Sequence, residues 1–173
     1  MRQMKKVALT SIAIAFTVAL TSCGSGPNAE TRKTNRVTDG AEAVINADGS
    51  EIRVSNLVLV ATEDGAAVIV GQIVNRADEG DEILGITVGG VGASITGEKK
   101  LLTNKPIHFE GEQANAKAVF TGVNPVAGTT VDLTIGFARA GLVTERVIIR
   151  DQRDIYAGIT SGANLKRQLQ LSN

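Results

Sequence analysis

An all-β fold, an antiparallel β-sandwich of immunoglobulin-like or cupredoxin-like type with about seven to eight strands, is what this 173-residue chain predicts. Three observations carry the prediction. The stretch "TTVDLTIGF" alternates Val131, Leu133, Ile135 and Phe137 with Asp132, Thr134 and Gly136, the period of two that gives a strand one buried and one wet face. Turn signals recur at short intervals: "NADGS" at Asn46–Ser50, "EDG" at Glu63–Gly65 and "RAG" at Arg139–Gly141, with Asp-Gly supplying the positive φ of a tight hairpin. No stretch among them carries the 3.6-residue apolar period of an amphipathic helix. A small closed barrel is the competing architecture.

In chain order, residues 1–22 read as a lipoprotein signal peptide. Arg2, Lys5 and Lys6 form a charged n-region, and Val7 to Leu20 an apolar h-region too short for a free-standing transmembrane helix of ~20 residues. The run ends in Leu20, Thr21 and Ser22 before Cys23, the one cysteine of the chain, and this tetrad resembles the bacterial lipobox. The resemblance implies that Leu20, Thr21 and Ser22 are read by the signal peptidase and that Cys23 carries a diacylglyceryl lipid. One acyl chain holds a protein to a bilayer only marginally, at about 0.8 kcal/mol per buried CH₂, so several chains on one cysteine are what make such an anchor stable. With Cys23 used this way, neither a disulfide nor a thiolate metal site is left to the mature chain.

Residues 23–38 then read as the lipidated cysteine and a polar, flexible tether. The sandwich domain is expected over 39–155. "EIRVSNLVLVAT" (Glu51–Thr62) and "AAVIVGQIVN" (Ala66–Asn75) form a hairpin around "EDG", preceded by "AEAVI" and the "NADGS" turn. "EILGITVGGVGASI", "PIHFEGE" and "AKAVFTGV" supply three further strands. "TTVDLTIGF" and "LVTERVII" (Leu142–Ile149) make a last hairpin around "RAG". Residues 156–173 read as a polar C-terminal tail.

Composition narrows the function classes. Without Arg2, Lys5 and Lys6 the chain has 15 basic and 18 acidic side chains, 18 less 3 against 18, with no Trp and one Tyr. That is a poor surface for nucleic acid, which requires phosphate-neutralising cations and often stacking rings. No G-x-S-x-G elbow occurs, and any serine triad would need His108, the single histidine. "GVGASITGEKK" spaces Gly92 and Gly97 like a phosphate loop, but Glu98 stands at the lysine position and repels phosphate. Asp78, Glu79, Asp81 and Glu82 crowd around Gly80 without the spacing of a calcium loop, and read as a solvated hairpin tip. Glu110 and Glu112 are expected to share a strand face about 7 Å apart. His108 and Glu110 offer two metal ligands where three or four are the rule.

The run "DGAEAVINADGSEIRVSNLVLVATEDGAAVIVGQIVN" (Asp39–Asn75) resembles the actinobacterial cell-envelope lipoproteins related to the PCu(A)C-type copper chaperones, loosely through Ile149. That resemblance implies a cupredoxin-like sandwich whose copper site is built from histidines and methionines. His108 stands for the later histidine, whereas Glu110 occupies its methionine's place, Ile86 falls at the earlier methionine and Asn75 near the first His-Met pair. The mature chain contains no methionine, since Met1 and Met4 lie in the leader, and copper(I) favours soft ligands. The expectation is therefore an extracytoplasmic, membrane-anchored, non-catalytic domain. It has no cofactor beyond the lipid on Cys23, and it binds an envelope protein or other envelope component. Copper handling near His108 and Glu110 is the alternative.

Overall fold

A computed structural model describes residues 39–47 and 49–162. The signal peptide, the Leu20-Thr21-Ser22 recognition run, Cys23, the tether and residues 163–173 lie outside the described residues. Within them are eleven strands: β1 (Ala41–Ala47), β2 (Ser50–Ala61), β3 (Ala67–Asn75), β4 (Asp81–Val88), β5 (Val91–Gly92), β6 (Ser94–Gly97), β7 (Lys100–Leu101), β8 (Ile107–Phe109), β9 (Ala116–Phe120), β10 (Thr130–Phe137) and β11 (Gly141–Arg150). One 3-10 turn, Asp154–Tyr156, follows. The strands join in the order β5-β4-β10-β11-β2-β3-β8-β9-β6, with β1 on β2 and β7 on β4. The fold class is the expected β-sandwich. It is antiparallel with two short exceptions: β11 runs parallel to β2 at Ile149–Leu59 and Arg150–Val60, and β8 meets β9 in parallel at Phe109–Ala116.

Alternation explains the core. Leu133, Ile135 and Phe137 of β10 point inward, as their spacing predicts, and meet Ile83 and Ile86 of β4, Val147 and Ile149 of β11, and Phe109 and Phe120 in one apolar cluster. Burying side chains of this size contributes about 1.5–3 kcal/mol each.

In β2 the alternation changes step. Ile52 and Val54 are inward, then Leu57 and Leu59. A bulge between Ser55 and Val58, with Asn56 at φ 52°, inserts the extra residue that shifts the phase. Opposite the bulge a side chain has no room: a Cβ on Gly71 would sit 2.7 Å from the Asn56 carbonyl oxygen. Gly71 also holds φ 135°, a region essentially confined to glycine.

After the bulge, Val58 and Val60 face outward yet are fully buried. A second, smaller cluster covers them: Tyr156 packs on both, with Val70, Ile148 and Ile159 alongside. The sequence reading ends the domain at residue 155 and treats Tyr156 onward as tail, but the chain goes on packing through Ile159. The apolar outer face of β2 needed a cover, and Tyr156 and Ile159 supply it.

Two strand assignments also differ. "EILGITVGGVGASI" is three strands, because Gly89 and Gly90 both hold positive φ and fold β4 back onto β5 in a two-residue turn. "PIHFEGE" stops at Phe109: Glu110 is left-handed at φ 63°, so Glu110 and Glu112 lie beyond the strand and do not share its face.

Candidate binding site

His108 lies on β8 opposite Gln72 of β3, half-buried. Asn115 shapes its surroundings, with its Oδ1 accepting from the His108 N–H at 2.8 Å and its Nδ2 donating to the Pro106 carbonyl at 3.0 Å. This clasp ties off the 110–115 loop. Glu110 pairs with Lys117 of β9 at 2.7 Å.

The other positions that the resemblance sets against copper ligands do structural work. Asn75 is 1% exposed; its Nδ2 donates to the carbonyls of Glu79 and Leu101, and its Oδ1 accepts from the Ala77 N–H. Its side chain thereby holds the loop between β3 and β4. Ile86 is a core residue. Among the described residues no group of three or more His, Cys, Asp or Glu is placed to hold a metal ion.

The acidic tip is not simply solvated. Asp81 is buried, and its carboxylate accepts three backbone N–H groups, from Glu82 at 2.7 Å, Arg139 at 2.9 Å and Ala140 at 3.0 Å. It fastens the β10–β11 turn, while Glu79 pairs with Arg139 at 2.8 Å. Asp81 thus spends its oxygens on the fold rather than on a cation. The Gly-rich stretch is likewise structural, since a Cβ on Gly97 would lie 2.3 Å from the Asn115 carbonyl oxygen and Glu98 accepts from the Lys99 and Lys100 N–H groups.

A concavity with both apolar and polar lining lies beside the C-terminal segment. It is a groove of about 370 Å³, with Val70 as an aliphatic wall, Asn56 and Glu110 on one side and the 155–159 run on the other. The segment is held by polar ties at both ends. Gln152 accepts from the Glu63 N–H at 3.0 Å and donates to the Ile159 carbonyl. Ser161 and Thr62 both donate to Asp64, and these hydroxyls, Ser161 first, hold the Asp64 carboxyl below its usual range. Tyr156 is 6% exposed, and its hydroxyl has no hydrogen-bond partner among the described residues, nor has the buried Nε of Arg150. Burial, and next the Asp39 carboxylate, push the Tyr156 phenol up, against a smaller opposing effect of Arg150. Asp39 in turn pairs with the Arg150 Nη2 at 3.1 Å.

Sequence reasoning named His108 and Glu110 and missed Asn56 and Tyr156. The unbroken "LVLV" of Leu57–Val60 was the available signal, since apolar residues on both faces of a strand demand a cover on each.

No protein-family model matches the chain, and no curated protein does. Solved structures do match. The apo PCuAC domain from PmoF1 superposes with a TM-score of 0.54 at 20% identity, over 64% of this chain and 99% of that one. The copper-bound PCuAC domain from PmoF2 gives 0.54 at 17% identity, over 64% and 98%. The apo PmoF2 PCuAC domain gives 0.53 at 21%, over 68% and 100%. The chain therefore has a PCuAC-like fold.

Proposed function

We propose that this chain is a lipid-anchored extracytoplasmic binding module, a PCuAC-like sandwich without catalytic activity and without the copper centre of its structural neighbours. The observation that carries the reading is the fate of the would-be ligand positions. Asn75 is consumed by the loop it holds, Ile86 by the core, and Glu110 by Lys117. His108 is left as a single imidazole, and one such ligand does not retain copper(I). The lipobox-like run ending at Cys23 supports the anchor and the location, and the small net charge and lack of stacking rings argue for contact with an envelope protein or other envelope component rather than nucleic acid.

The test is lipid labelling in growing cells combined with photo-crosslinking in intact envelopes. The labelled lipid is expected on the chain and lost with Cys23→Ala. Crosslinked products are expected to be the same for the native chain and for His108→Ala; products that vanish in His108→Ala would move the activity to a metal. The second reading, copper handling through His108 and Glu110, is favoured by the likeness to a domain solved with copper bound.

A further inference from the structure

We propose that β1 is a docking edge for a second copy of this chain: two β1 strands pair antiparallel about a two-fold axis at Val44 and join their sheets. The inference goes beyond the binding-module reading and stands whether or not that reading holds.

The backbone supplies the first argument. β1 is bonded to β2, and among the described residues no strand pairs with its other edge. In an antiparallel ladder, residue pairs that exchange both backbone bonds alternate with pairs that turn their N–H and C=O away from each other. Glu51 is of the second kind, since its carbonyl accepts from the N–H of Arg76, just beyond the end of β3. Its ladder partner is Asn46, and two residues further along Arg53 faces Val44. Val44 and Asn46 therefore direct their N–H and C=O groups away from β2, a template for another strand.

Self-complementarity supplies the second argument and selects a copy of the chain as the occupant. With Val44 on the axis, Val44 meets the partner copy's Val44, Glu42 meets Asn46, and Ala43 meets Ile45. No like charges stand opposite each other, and the outward N–H groups of Glu42, Val44 and Asn46 each find a carbonyl. The neighbouring register would set Val44 against Asn46, apolar against polar, so the Val44 axis is the favoured one.

The third argument is incomplete cover. Val44 is 58% exposed on the outer face, while Ala43 and Ile45 lie partly buried at the rim of the core. Pairing covers both rows, with Val44 against Val44 outside and Ala43 against Ile45 inside, so the apolar layer runs on across the junction.

The other edges are guarded. β11 sets Glu145, half-buried, in the same inward phase as Val143 and Val147, and an inward charge resists a new strand. β5 and β7 have two residues each, and β6 has four and ends at Gly97 with φ 86°. β1 has seven residues, none of them proline, lysine or arginine.

Disulfide trapping of the full chain in growing cells tests the pairing. Residues opposite each other in a bonded pair have Cα atoms about 5.5 Å apart, within disulfide reach. Val44→Cys is expected to give a covalent dimer well above the background set by the native chain, whose one cysteine is Cys23. Asn46→Cys alone should stay at background, because the two copies of residue 46 lie about 13 Å apart along the strands. Glu42→Cys and Asn46→Cys chains expressed together should crosslink to each other. With purified full chain in detergent, Val44→Lys places two cations on the axis and should weaken association about tenfold by sedimentation, at an unchanged urea midpoint. Asn46→Lys faces Glu42 and should strengthen it severalfold. A Val44→Cys chain that stays at background overturns the proposal, as does Asn46→Cys alone crosslinking equally well. A Val44→Lys chain that associates like the native one does the same.

Discussion

The two outer faces of the sandwich are built from the same kind of strand and end in opposite states. Outside β2 and β3, Val58, Val60 and Val70 lie under Tyr156 and Ile159, with Ile148 of β11 joining them. Outside β4, β10 and the first half of β11, Thr134 pairs with Thr87 and Thr144 across the ladder, Asp132 pairs with Arg146 at 3.0 Å, and Leu84 and Leu142 stand 66% and 80% exposed on either side of Gly136. The difference is one of sequence pattern. β10 alternates apolar and polar residues and has a wet face; β2 loses its alternation after Asn56 and needs a cover on each side. The cover is the terminal segment, fastened by Gln152 and by the Asp64 carboxylate, and its edge forms the groove.

The largest effect should come from uncovering the closed face. Tyr156→Ala removes the ring from Val58 and Val60 and should cost about 3 kcal/mol, in the range for large-to-small aromatic substitutions. Leu142→Ala, on the open face, should stay within about 0.5 kcal/mol. Urea midpoints measure both, and equal effects would erase the distinction between the faces. A smaller contrast comes from exchanging face chemistry. Val58→Thr places a hydroxyl under the cover and should cost about 1–2 kcal/mol, whereas Thr134→Val on the open face should leave stability within about 0.5 kcal/mol.

The smallest effect is electrostatic. The Asp64 carboxyl is lowered by the Ser161 and Thr62 hydroxyls, so its contribution is present above its unfolded value and fades as pH falls through the still lower folded value. Amide exchange over 158–161 should therefore rise as pH drops below 3.8, with β10 unaffected, and Asp64→Asn should abolish the acid step. An acid step of the same size in Asp64→Asn would assign it to another group.

Local chemistry made much of this legible. The hairpins around Gly65 and Gly141, both at positive φ, and the inward sets of β10 and β11 follow from period and turn residues alone. What stayed hidden depends on distant partners. Asp81 reads as one charge in an acidic tip, and only its bonds to Arg139 and Ala140, across the fold, make it a buried fastener. Glu110 reads as the next strand residue, yet its left-handed backbone ends β8 and turns its carboxylate toward Lys117. Tyr156 sits in a polar context, and nothing within several residues of it announces Val58 and Val60. The fold class was thus written in periodicity, whereas the groove is a product of tertiary contact.

In this PCuAC-like sandwich Asn75, Ile86 and Glu110 serve the fold, and His108 stands without them. The decisive experiment is an anaerobic Cu(I) titration of residues 24–173 against a calibrated competing chelator. The chelator is expected to keep its copper, with native protein and His108→Ala indistinguishable. Stoichiometric capture of copper that disappears in His108→Ala would contradict it and make His108 a ligand in a centre of a different composition.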